Sequence, residues 1–214
     1  MTHPPDGPYL DEFEQDALRE IINIALGKAA SELNEIINLY VFMNIPRVDL
    51  LKPSEMEEFI RKEVRPDSGF NLVEQYFIGK ARGLAYLMLP AKSGQQILGL
   101  LGAEQRETST YGLDLLEQEA LMEIGNIVIG VCVSRIAELT GDVVTYLPPR
   151  IISGSTYASD FPKGLFEGDH YVIILKTIFH FEGRDIDGFM FLINSYESVA
   201  WLKKSIADYI ARNL

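Results

Sequence analysis

The stretch Leu10–Glu35, LDEFEQDALREIINIALGKAASELNE, decides the fold when it is laid beside Leu113–Glu138, LDLLEQEALMEIGNIVIGVCVSRIAE. The two align without a gap at a shift of 103 residues, and 13 of the 26 positions are identical. Among the identities are Glu14/Glu117, Leu18/Leu121, Glu20/Glu123, Asn23/Asn126, Gly27/Gly130 and Ser31/Ser134. The same shift pairs Pro46-Arg47 with Pro149-Arg150. Half identity in an ungapped window marks an internal duplication, and a repeat of this kind organises the reading of everything else.

Working outward, each half shows the same order of elements. A long helix comes first, over Glu12–Leu39 and Leu115–Thr140, followed by a short strand near Pro46–Leu51 and Val143–Ile152. Two longer strands follow, Leu72–Gly79 with Arg82–Leu89 and His170–Phe181 with Arg184–Ile193, with hairpin turns at Gly79-Lys80-Ala81 and Glu182-Gly183. Closing helices are expected at Ala91–Leu101 and Ser195–Ala211. The halves diverge between the first strand and the hairpin. Half one has a capping-box signal, Ser54-Glu55-Met56-Glu57, opening a short acidic helix, whereas half two has Ser153–Asp169, read as a loop. No long linker separates the halves, so the expectation is one domain over residues 1–214, built of two repeats at about 10–102 and 113–214. Strands of both halves should share one sheet.

The repeated helix has two faces. At about 100° per residue, Asp16, Asn23, Gly27 and Ser31 cluster around Glu20, while Leu18, Ile22, Ala25, Ala29, Leu33 and Ile36 form the opposite, core-facing stripe. In the second helix Glu119, Glu123, Asn126, Gly130 and Ser134 point outward, and Leu121, Val128, Cys132, Ile136 and Leu139 inward. Glu and Asn three residues apart are neighbours on a helix surface, so each half presents a carboxylate beside an amide. Gly27 and Gly130 each cost about 1 kcal/mol relative to Ala in mid-helix. A glycine at both equivalent exposed positions leaves a bare stretch that another backbone can approach. An amide has no useful pKa; it can only donate and accept hydrogen bonds, which suits it to positioning a water for in-line attack on phosphorus.

The spacing Asp16-x3-Glu20-x2-Asn23-x22-Pro46, repeated as Glu119-x3-Glu123-x2-Asn126-x22-Pro149, resembles the signature of the CheC, CheX and FliY phosphatases, and the duplicated length is similar to CheC. A lone E-x-x-N is common on solvated helices; the full spacing, twice, is not. The resemblance implies an α+β fold, a CheC-like pseudo-twofold repeat in which a central, largely antiparallel sheet packs against the two long site-bearing helices. It implies hydrolysis of the aspartyl-phosphate of a CheY-type response regulator, with Asn23 and Asn126 orienting water and Glu20 and Glu123 binding a receiver lysine. Asp16, Gly27, Glu119 and Gly130 would line the partner-binding surface. The Mg2+ would belong to the phosphorylated receiver, the chain having no cofactor of its own, and a CheD-like deamidase would be a further partner. Glu119 stands where the family usually has Asp or Ser, so the first motif matches better. The competing expectation is a non-catalytic adaptor or motor-switch module that docks phosphorylated receivers or CheD.

Composition narrows the alternatives. A formal net charge of −12 argues against nucleic acid and against anionic membrane surfaces. The single cysteine, Cys132, excludes an internal disulfide; it lies on the inward stripe and reads as a small buried hydrophobe. The N-terminus lacks the apolar core of a signal peptide and no apolar run approaches a membrane span, which makes the cytoplasm the expected compartment. His170 and His180 fall ten apart on one strand, too far to share a metal, and no metal site is expected. Trp201 reads as packing, and Pro46 and Pro149 as the starts of edge strands.

Overall fold

The computed structural model describes residues 10–37, 40–63, 69–79, 82–100, 115–139, 141–154, 162–163, 167–168, 170–181 and 184–213. Helix α1 (Glu12–Ile37) starts where a reciprocal cap forms. Asp11 Oδ1 accepts the Glu14 N–H and Glu14 Oε2 accepts the Asp11 N–H, both at 2.8 Å. Two of the four orphan amides of the first turn are thereby satisfied. The repeated pair Asp11/Glu14 and Asp114/Glu117 is thus explained by capping in half one; Asp114 lies outside the described residues.

Strand β1 (Val41–Leu51) follows, then α2 (Pro53–Glu63), β2 (Phe70–Ile78), β3 (Gly83–Pro90) and α3 (Ser93–Leu100). Half two contributes α4 (Leu115–Leu139), β4 (Thr145–Tyr146), β5 (Arg150–Gly154), β6 (His170–Phe181), β7 (Arg184–Ser195) and α5 (Tyr196–Asn213). The expected elements are therefore present, with four corrections. Helix α2 is capped at Lys52, whose N–H reaches Glu55 Oε2 at 2.8 Å, and not at Ser54; Pro53 occupies the first helical position, where a missing N–H costs nothing. The strand expected over Val143–Ile152 is two strands, because Pro148 and Pro149 offer no N–H to a ladder. Pro46 lies inside β1 instead of beginning it, at an irregularity where Ile45 and Pro46 drop out of register with β6. By length and composition α4 would suffice to cross a membrane, contrary to the sequence expectation; here it packs in the core, with Leu121, Val128, Ile129 and Cys132 fully buried. The turn residues 80–81 and 182–183 and most of Ser153–Asp169 lie outside the described residues.

The strands form one antiparallel sheet in the order β1-β6-β7-β3-β2-β4, with β5 also pairing β2. Each half's hairpin, β2–β3 or β6–β7, receives the first strand of the other half: β1 runs beside β6, and β5 beside β2. The central pair β3–β7 sets Leu87 opposite Met190, two positions separated by the same 103 residues as the motifs. The halves are joined about that point. On one face of the sheet α1, α3, α4 and α5 build the main core. On the other, Met56, Phe59 and Ile60 of α2 pack on Phe70, Leu72, Tyr86, Met88 and Phe191. The two long helices α1 and α4 lie against each other, which brings the two motifs onto one side of the molecule.

Candidate functional site

On α1, Asp16, Glu20, Gly27 and Ser31 are exposed and Asn23 is half-buried; on α4, Glu119, Glu123 and Asn126 are exposed and Gly130 is half-buried. Leu18 and Ile22, and Leu121, Val128 and Cys132, face the core as expected. Burial alone pushes the Cys132 thiol far above its ordinary pKa, as suits an inert packing residue. An added Cβ at Gly27 or Gly130 would meet nothing within 4 Å. No internal contact requires either glycine, so the bare stretches are free for something outside the chain. Phe13 and Leu116, again 103 residues apart, are 57% and 45% exposed about two turns before the Glu/Asn pairs. Each motif thus carries an acidic row with an apolar residue at its head. Asp16 holds Arg19 at 3.0 Å on this surface.

The two carboxamides have different surroundings. Asn23 is bound at both poles by the main chain of β1: its Nδ2 donates to Ile45 O at 3.0 Å and its Oδ1 accepts the Ile45 N–H at 2.6 Å. Ile45 is fully buried and out of register with β6. Pro46 interrupts the ladder, and Asn23 supplies the hydrogen bonds that the fully buried Ile45 main chain then lacks. The 22-residue spacing to the proline has this mechanical meaning in half one.

Half two cannot repeat the arrangement, because the residue corresponding to Ile45 is Pro148, which has no N–H. Asn126 turns instead to β2. Its Oδ1 accepts from Gln75 Nε2 at 2.7 Å, and the same Nε2 donates to Leu147 O at 3.2 Å. Gln75 is 1% exposed, set between Val73 and Phe77 on the face of β2 that α4 covers. Gly125 makes the contact reachable: a Cβ there would stand 2.5 Å from Val73 Cγ1, so only glycine allows α4 so close to β2. One turn along, Tyr146 donates to Gly130 O at 3.0 Å and lies 2.8 Å from Ser134 Oγ. In half one, among the described residues, Ser31 Oγ bonds only its own helix, at Gly27 O, 3.3 Å.

Sequence reasoning did not find Gln75, Gly125 or Tyr146. A signal existed for the first two. Gln75 is a polar residue in the period-2 row Val73, Gln75, Phe77, and Gly125 immediately precedes the motif Asn where half one has Ile22. No group of three or more His, Cys, Asp or Glu side chains capable of holding a metal ion occurs among the described residues.

An α+β sheet with paired Glu/Asn helices laid on one face is the arrangement that comparisons with known proteins find again in CheC-like proteins. The model of the CheC-like family matches residues 116–153, from the second motif through β5. The CheY-P phosphatase CheC of Bacillus subtilis (strain 168) is 26% identical over 195 residues, spanning 88% of this chain and 91% of that protein. Among solved structures, FliY of Thermotoga maritima superposes with a TM-score of 0.68 at 24% identity, covering 96% of this chain and 99% of that one. The FliM middle domain of H. pylori shares the fold at a TM-score of 0.59 and 14% identity, covering 92% and 99%. The resemblance read from the motifs is borne out: the chain is similar to CheC in sequence and shares the fold of its structural relatives.

Proposed function

We propose that this chain is a phosphatase for the aspartyl-phosphate of a CheY-type receiver and that the second motif carries out the hydrolysis. The observation that carries this reading is the exposed Asn126 carboxamide, whose oxygen is held from beneath by Gln75 and whose Nδ2 makes no hydrogen bond among the described residues. An exposed N–H2 beside the exposed Glu123 carboxylate, with open space over Gly130, has the form needed to steer a water toward a docked neighbour. Glu123 would pair with the receiver's lysine, and Glu119 and Gly130 would frame the contact. The water oxygen bonds to phosphorus as the bond from phosphorus to the acyl oxygen breaks, leaving the receiver carboxylate and inorganic phosphate. Such a step depends on positioning and charge stabilisation more than on acid–base chemistry. The Mg2+ it needs would come with the receiver.

In half one a specific observation favours docking without hydrolysis. Glu20, Asp16 and Gly27 are exposed, but the Asn23 amide is committed at both poles to Ile45. The net charge of −12 suits a receiver with a basic surface on either motif.

The test is loss of phosphate from purified CheY-type receivers, followed with and without this protein. Acceleration that falls on the order of 100-fold in Asn126→Ala is the expected result, in line with removal of one preorganised hydrogen-bonding group. Phosphorylation-dependent binding with no change in dephosphorylation rate would replace this reading with the adaptor one.

A further inference from the structure

A fully buried amide on an otherwise apolar sheet face has a cost that must be met by its partners. Gln75 is such a residue: Nε2 makes two hydrogen bonds, while the buried Oε1 finds no partner among the described residues. Its orientation is forced. The Leu147 carbonyl can only accept, so the Gln75 atom facing it must be Nε2. That nitrogen also faces Asn126 at 2.7 Å, so the Asn126 atom receiving it must be Oδ1. Polarity is relayed along this chain, from main chain to buried amide to surface amide.

Resting on the phosphatase reading above, we propose that Gln75 is the positioning residue of the second site, holding the Asn126 carboxamide with its N–H2 turned outward. An exposed Asn rotates freely and presents oxygen and nitrogen about equally; one anchored through its oxygen keeps its N–H2 on the outer side. The water would then be held through its oxygen by Asn126 Nδ2. Half one is built differently: the residue opposite Gly188, as Gln75 is opposite Ala85, is the buried Thr177, whose hydroxyl donates to Leu175 O at 3.2 Å, and Asn23 is held by Ile45 instead.

Gln75→Met keeps length and loses the donor. Dephosphorylation kinetics of a phosphorylated CheY-type receiver should show kcat lowered about tenfold with KM unchanged, because orientation is lost and the docking surface is not. In an Asn126→Ala background the same substitution should have no further effect. An equal loss in that background, or an unchanged kcat, would overturn the proposal. The Gln75 side-chain NH2 resonances give an arm that requires no activity and no Gln75 variant. They should shift when Asn126 is replaced by Ala, and resonances that stay in place would equally sink the idea. A wild-type protein inert toward receivers would remove the phosphatase reading alone, and the resonance shift would still decide whether Gln75 orients Asn126.

Discussion

Asn23 and Asn126 occupy the same place in two copies of one helix motif, yet one is tied to the backbone and the other faces solvent. Three substitutions between the halves account for the difference. Ile45 becomes Pro148 and removes the N–H that clamps Asn23; Ile22 becomes Gly125 and lets α4 sink onto β2; and Thr177 has its counterpart in Gln75, which meets Asn126 from below. The lesson is that one repeated spacing can sit in two different hydrogen-bonding arrangements. In half one the Asn-x22-Pro spacing repairs a break in an edge strand. In half two, where the strand is broken outright by Pro148-Pro149, the amide is left on the surface and accepts from Gln75 instead.

The sharpest way to break this contrast is to exchange the two asparagines' fates. Asn126→Ala should lower receiver dephosphorylation on the order of 100-fold and cost about 1 kcal/mol of stability, since the buried Gln75 Nε2 loses one of its two acceptors. Asn23→Ala should do the reverse, leaving most activity while destabilising by about 2 kcal/mol, because the buried Ile45 main chain loses a donor and an acceptor. Parallel phosphate-release assays and urea titrations check both. Equal loss of activity in the two variants would show that the clamp on Asn23 opens in use.

Next in size is Gly125→Ala. The new Cβ would press on Val73 at 2.5 Å, and Val73 is itself 1% exposed, with no flexible end to yield. Overpacking of this kind costs about 1–3 kcal/mol. Any relief by lifting α4 would also lengthen the Gln75 contact, so activity should fall with stability. The matched Ile22→Ala in half one should cost about 2–4 kcal/mol through a cavity, with little effect on the second site.

These elements also show what could be read without coordinates. The helices, hairpins and the two-faced site helices were legible because they rest on periodicity, which is local, and because the duplication doubled each signal. Outward and inward residues from Leu18 to Cys132 followed from the same geometry. What stayed hidden was tertiary. Nothing local in Phe70–Ile78 tells which helix lies over Gln75, or that β1 leaves its register at Ile45-Pro46. The capping of α2 at Lys52 was missed by two residues for the same reason that helix ends are read poorly: several polar residues compete for the cap.

A smaller difference between the halves lies at Cys132, whose counterpart is Ala29. Burial holds the thiol protonated well above its ordinary value of 9.0, whereas the unfolded chain ionises there. Above about pH 9 the unfolded state therefore binds fewer protons than the folded one, and stability falls as pH rises; below it this term is fully present. Tyr86 and Tyr146, also raised chiefly by burial, add to the slope above about pH 10. Cys132→Ala should be less stable at pH 7 but lose less on going to pH 10, as urea midpoints across that range would show. A slope unchanged by the substitution would assign the alkaline loss to the tyrosines.

The smallest effects belong to the glycines, and they sharpen the comparison most finely. Gly27→Ala and Gly130→Ala each place a methyl where nothing stands within 4 Å, so each should stabilise by about 0.5–1 kcal/mol through helix propensity. Stability alone would thus favour alanine at both, and under the proposed function a docked receiver is what keeps them glycine. If hydrolysis proceeds at the second motif, Gly130→Ala should raise the KM for the phosphorylated receiver several-fold while Gly27→Ala leaves it nearly unchanged. The Tyr146 hydroxyl bonded to Gly130 O keeps that helix turn fixed, so a rise in KM would report crowding at the partner's backbone and not a local shift of α4. Equal rises in both variants would mean that receivers engage the two faces alike, and that the halves differ only in what the asparagine can do once the partner has arrived.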